Sequence, residues 1–197
     1  MKFSKKEIKD LWIAGLLISL AFAILLSGGY RALSLLNFKL ILVFIIAFFT
    51  AGIGFLLHEL MHKHIAQNYG LRAEFRAYYP GLWLAIVLSF FGFIMAAPGA
   101  VYISGFITRE RNGKISLAGP MTNIVLAILF LISALFINNG LLGAFFSYGF
   151  SINSLLALFN MIPAMPFDGS KVLAWNKTVY WITIAAAFAL FILSFLI

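Results

Sequence analysis

The sequence predicts an all-α polytopic membrane protein, with about five to six transmembrane helices and a membrane-associated hairpin or re-entrant region between the second helix and the helix that carries GPMTN. Three observations carry that expectation. Apolar residues make up 63% of the 197 and charged residues only 10%. The mean hydropathy is +1.05. The apolar residues also gather in runs that approach the roughly twenty residues a helix needs to cross hydrocarbon. Residues 1–197 show no internal repeat, linker or second-domain signal and are expected to form a single membrane-embedded domain.

Six runs come near the required length: 11 to 26, 40 to 62, 82 to 97, 118 to 137, 141 to 162 and 178 to 197. Met1 to Asp10, "MKFSKKEIKD", reads as a basic cytoplasmic tail before a retained span, since no small-residue cleavage site follows. The second run, opening "LILVFIIAFFTAGIGFLL", ends in HELMH, His58 to His62. Gly52 and Gly54 in that run permit close helix contact. The third run is short and is bracketed by Pro80-Gly81 and Pro98-Gly99. It leads into "AVYISGFITRERNGKISL", which reads as a hairpin with strands around Ala100 to Ile107 and Lys114 to Leu117, turning at Asn112-Gly113. Gly119 and Pro120 open the fourth run, and Pro163 and Pro166 end helical geometry after the fifth.

Basic residues decide how many runs cross. If all six cross from a cytoplasmic amino terminus, the 14 Lys and Arg divide evenly between the two sides, against the positive-inside rule. If 82 to 103 dips in and returns, all of them except Arg31 and Lys39 fall inside. Five crossings are therefore expected, with the 82 to 117 backbone packed on protein because lipid cannot satisfy its polar groups. Topology thereby explains the net charge of +8, and no nucleic-acid partner is expected.

The chain has no cysteine, which excludes disulfides, thiolate catalysis and sulfur-ligated metal; any metal site must use His, Asp and Glu. His58 and His62, four residues apart, project from one helix face and can grip one ion, with Glu59 beside them. A carboxylate this deep in an apolar run carries a penalty of about 2.5 to 3.5 kcal/mol, which a metal site offsets. His64, two positions past His62, points about 200° around the helix and is read as a polar residue at the helix end. The spacing suits a zinc hydrolase, in which the glutamate accepts a proton from the attacking water and passes it to the leaving nitrogen.

A catalytic zinc takes three protein ligands. With the histidines spent, the third must be one of six acidic residues. Glu7 and Asp10 lie in the tail, Glu74 and Glu110 lie in basic loops, and Glu59 is the base, which leaves Asp168 in "FNMIPAMPFDGS". Five crossings bring Asp168 to the same side as HELMH, whereas six would hold the two about 30 Å apart.

With these motifs in view, the sequence resembles the site-2 protease family of intramembrane zinc metalloproteases, in the form expected to lack PDZ and CBS domains. It carries HELMH, GPMTN (Gly119 to Asn123) and NMIPAMPFDG (Asn160 to Gly169) in the family's order, over a catalytic core of about 40 to 175. Ser170 stands where the family commonly has a second glycine. The resemblance implies one Zn2+ per chain bound by His58, His62 and Asp168, with Glu59 as catalytic base. It also implies that Asn160 contacts the substrate backbone or the developing oxyanion; an amide offers donors without added charge, and the alternative is an interhelical hydrogen bond. Asn123 is read as capping or packing the core helices, with a direct catalytic role as the alternative.

The activity so implied is endoproteolysis in the cell membrane, multi-pass and with the amino terminus cytoplasmic. It would cut transmembrane segments of single-span or other membrane-protein substrates near the cytoplasmic face. The strand around Ala100 to Ile107 is expected to place a sheet edge near the zinc, where an unwound substrate can pair. The alternatives are another class of membrane His-Glu-x-x-His peptidase, or a membrane metal transporter or metal-binding protein, which needs ligands but no general base. No motif encodes the oligomeric state.

Overall fold

The computed structural model describes residues 1–30, 32, 38–94 and 98–197. Arg31, counted outside in the charge argument, and residues 95–97, at the end of the third apolar run, lie outside the described residues. The chain is an all-α polytopic membrane protein. Among the described residues, four helices are long and apolar enough to cross a bilayer: α1 (Lys5–Leu26), the continuous Lys39–Asn68 helix, α5 (Arg109–Phe136) and α6 (Gly140–Asn160). Within Lys39–Asn68, α2 (Phe38–Ala47) passes through a π-helical turn (Phe48–Gly52) into α3 (Ile53–Asn68). The third apolar run forms α4 (Tyr79–Phe90), whose 12 residues reach only about 18 Å, short of the roughly 30 Å of hydrocarbon.

The chain divides into two compact units. The first comprises Lys2–Leu56 and Glu74–Tyr102. Here the expected tail is corrected: α1 begins at Lys5, where the Ser4 side chain accepts the Glu7 N–H at 3.1 Å. Lys5, Lys6 and Lys9 are exposed, but Glu7 and Asp10, three residues apart on one helix face, are buried. Glu7 Oε1 accepts the Phe75 N–H at 2.9 Å. Asp10 Oδ1 accepts the Tyr79 hydroxyl at 2.9 Å, and its Oδ2 accepts the Ala77 N–H at 3.4 Å. Phe75 and Ala77 are alternate residues of β1 (Arg72–Ala77), so their N–H groups point to one edge, and the carboxylates occupy that edge. A net basic composition hid two inward-facing acids. Gly52 meets α1 so closely that a Cβ there would strike the Ser19 hydroxyl, as expected of a glycine at a tight helix contact.

β1 pairs with β2 (Gly99–Ser104). The Tyr78 N–H donates to the Pro98 carbonyl at 3.0 Å while Gly105 lies over Leu71, so the strands run antiparallel. The expected hairpin with 114 to 117 is therefore corrected, since those residues are helical.

The second unit comprises Leu57–Ala73 and Ile103–Ile197, with Met1. Its longest helix, α5, starts at Arg109 and not at 118: Thr108 caps it by accepting the Arg111 N–H at 3.2 Å. Asn112-Gly113, a turn signal in isolation, lies inside the first turns of this helix, and a Cβ at Gly113 would overlap the Trp175 ring. Close packing explains the glycine that local sequence reads as a turn. Further along, Val125, Ile128, Leu129, Ile132 and Leu135 form an exposed apolar stripe, while Ser116, Gly119 and Asn123 are buried. That inverts the pattern of a water-soluble helix and suits lipid. Ile124, Ala157 and Ala187 join α5 to α6 and to α8 (Lys177–Leu193). Met161, Val172 and Tyr180 tie the loop after α6 to α7 (Asp168–Trp175) and α8.

Candidate metal centre

α3, α5, α6 and α7 contribute the site, and every residue of it belongs to the second unit. His58, Glu59 and His62 lie on α3 with relative exposures of 4%, 8% and 7%. Asp168 is the first residue of α7, where the partial positive charge of a helix start favours an anion. The chain turns sharply to deliver it: a Cβ on Gly169 would stand 2.7 Å from the Ile162 carbonyl oxygen and collide with that of Met161. Only glycine lets the segment that follows α6 fold back this closely.

The two imidazoles and the carboxylate converge. His58 Nε2 lies 3.3 Å and His62 Nε2 3.0 Å from Asp168 Oδ2. The three offered ligand atoms all lie within 4.8 Å of one another. Asp168 Oδ1 turns instead to Lys171 Nζ at 3.6 Å.

Partners behind the rings decide which nitrogens carry protons. His62 Nδ1 lies 2.7 Å from the Ile115 carbonyl oxygen, which can only accept, so Nδ1 bears a hydrogen and, in the neutral ring that ligates a metal, Nε2 keeps the lone pair. Pro120 withholds the N–H that would bond to the Ser116 carbonyl, interrupting the helix ladder one residue from the carbonyl His62 uses. His58 Nδ1 lies 2.6 Å from Asn123 Oδ1, with the same consequence. Two lone pairs and a carboxylate oxygen thus point at one place, an arrangement of electron-pair donors that a cation relieves. Gly119 keeps the place open: a Cβ there would fall 2.5 Å from both Nε2 atoms. The donor set of two nitrogens and one oxygen fits a zinc ion.

His64 is elsewhere, its Nε2 3.1 Å from Asn68 Nδ2. Asn160, the last residue of α6, donates from Nδ2 to the Leu156 carbonyl of its own helix at 2.9 Å. Asn123 does not cap a helix: it lies within α5, fully buried, and accepts from His58. Sequence reading missed this contact and that of the Ile115 carbonyl. A signal existed, because Gly119 and Asn123 are four apart and share the helix face that meets the imidazoles. Glu110 pairs with Lys114 at 2.5 Å and Glu74 with Arg76 at 2.8 Å, so ion pairing accounts for both.

Membrane-spanning helices that bring an imidazole pair and a later aspartate to one ion-sized point, with a second buried carboxylate beside the first histidine, define a membrane metalloprotein equipped for hydrolysis. A protein of Methanocaldococcus jannaschii named as a zinc metalloprotease is 47% identical over 182 residues, spanning 91% of this chain and 89% of its own. A second zinc metalloprotease of that organism is 28% identical over 65% of this chain and 33% of its own, and one of Bacillus subtilis is 28% identical over 63% and 65%. No family model and no solved structure matches the chain. The chain belongs to the zinc metalloprotease family; it is an enzyme, and zinc is its metal.

Proposed function

We propose that the chain is an intramembrane endopeptidase of the site-2 protease kind, cutting transmembrane segments of other membrane proteins near the cytoplasmic face. One observation carries this reading. HELMH belongs to the apolar Lys39–Asn68 helix, long enough to cross a bilayer, so the bonds within its reach lie at membrane depth. His58, His62 and Asp168 hold the zinc. Bound there, zinc supplies Lewis acidity to the scissile carbonyl and to the attacking water.

The chain's own groups do the rest. Glu59 accepts the proton of the attacking water on its carboxylate and delivers it to the leaving nitrogen. The Ile115 carbonyl and the Asn123 amide hold the two imidazoles in the tautomer that presents Nε2. Asn160 gives one Nδ2 hydrogen to Leu156 and has a second to offer the substrate backbone or the developing oxyanion. A substrate helix hides its carbonyls in its own hydrogen bonds and must unwind locally before it is cut. The bias of Lys and Arg toward one side supports a cytoplasmic amino terminus in a multi-pass cell-membrane protein.

Co-expression with candidate single-span membrane proteins tests the reading. Wild type is expected to yield fragments that vanish in Glu59→Gln, at equal expression and metal content. Fragments that persist in Glu59→Gln would overturn it, and metal uptake by cells that survives the substitution while no substrate is ever cut would replace it with transport.

A further inference from the structure

Behind His58 the hydrogen bonds continue past Asn123 to a main-chain carbonyl. Asn123 Nδ2 donates to Asn153 Oδ1 at 3.0 Å. Asn153 Nδ2 donates to the Gly149 carbonyl at 2.9 Å. Both asparagines are fully buried, Asn123 on α5 and Asn153 on α6.

The direction of this chain is fixed from its far end. A carbonyl oxygen only accepts, so the Asn153 atom facing Gly149 is its NH2, and its Oδ1 faces Asn123. Asn123 must answer with its own NH2, which turns its Oδ1 toward His58, and His58 Nδ1 must then carry a hydrogen. Reversing the Asn123 amide would set oxygen against oxygen at Asn153 and bring an NH2 to His58 Nδ1. The ring would then accept at Nδ1 and carry its hydrogen on Nε2, the atom turned to Asp168 Oδ2.

We propose that Asn153 is a positioning residue for the metal centre: by fixing the orientation of the Asn123 amide it locks His58 in the tautomer that leaves Nε2 free to ligate. The proposal rests on the reading of His58 as a ligand. Asn153 lies outside HELMH, GPMTN and NMIPAMPFDG, and it acts on an imidazole whose own residue is on α3. A buried asparagine in a membrane helix is otherwise explained as polar glue between helices, and that role predicts no effect transmitted through Asn123.

A double-mutant cycle on the purified full-length chain in lipid nanodiscs separates the two, with zinc affinity read by chelator competition. Asn123→Leu is expected to weaken zinc binding about ten- to a hundredfold, and Asn153→Leu about three- to tenfold, in the range of losses seen when a partner behind a ligand is removed. In the Asn123→Leu background, Asn153→Leu is expected to have no further effect. Asn123→Ala and Asn153→Ala remove the same partners and replace any leucine variant whose helical circular dichroism is lost, so that all four corners of the cycle are folded. Asn153→Asp keeps an acceptor toward Asn123 although it loses the donor to the Gly149 carbonyl, and is expected to lose less zinc affinity than Asn153→Leu.

Unchanged affinity in Asn153→Leu, equal losses in both backgrounds, or a loss in Asn153→Asp as large as that in Asn153→Leu would overturn the proposal. His58→Ala distinguishes its failure from that of the ligand assignment. If His58→Ala loses zinc while Asn153→Leu does not, the positioning role alone is wrong; if His58→Ala retains zinc, the ligand reading falls and the positioning role with it.

Discussion

Glu7 and Asp10 in one unit and Asp168 in the other are all carboxylates buried in an apolar chain, yet their surroundings are opposite. The oxygens of Glu7 and Asp10 meet the N–H groups of Phe75 and Ala77 and the hydroxyl of Tyr79, each a donor. Their valences are met by protein. Asp168 Oδ2 meets two imidazole nitrogens whose rings have already spent their Nδ1 hydrogens on Asn123 and Ile115. Burial alone therefore does not mark a functional acid. What marks it is an acceptor turned toward other acceptors, which only a cation completes.

That contrast can be broken at either end. The largest effect is expected at Glu59: Glu59→Gln should lower peptide-bond hydrolysis by about 10²- to 10⁴-fold, the usual contribution of a general base, while zinc per chain is unchanged by elemental analysis. Gly119→Ala comes next. Its methyl would stand 2.5 Å from both Nε2 atoms, and zinc affinity measured by chelator competition should fall at least about tenfold with the helical circular dichroism intact. At the other acid site the expectation reverses. Glu7→Met leaves the buried Phe75 N–H without its acceptor, which should lower stability by about 1–3 kcal/mol in a denaturation series, with zinc affinity within twofold of wild type. Lys171→Met should do least. The pair is a partly exposed contact at 3.6 Å, and its removal should change zinc affinity by no more than a few-fold.

The acids also show how far the sequence could be read. HELMH was legible because two histidines four apart admit few uses within an apolar run, and Asp168 because the cysteine-free composition left so few other donors. Glu7 and Asp10 were not: flanked by Lys5, Lys6 and Lys9 they look solvated, and only a strand more than sixty residues away reveals that they face inward. The start of α5 was misplaced because Asn112-Gly113 is a strong turn signal locally, whereas the Thr108 cap and the ring of Trp175 over Gly113 favour helix. The support behind His58 was hidden for the same reason. Asn123 and Asn153 are ordinary polar residues in sequence, and their order along one directed hydrogen-bond chain exists only once α3, α5 and α6 are packed.

Zinc content of Asp168→Ala, measured on the purified chain supplied with one equivalent of zinc, tests the central claim most directly. If the carboxylate completes the site, occupancy should fall well below one ion per chain and proteolysis should disappear with it. Full occupancy with cutting intact would contradict the account, because the two imidazoles would then be served by some other group.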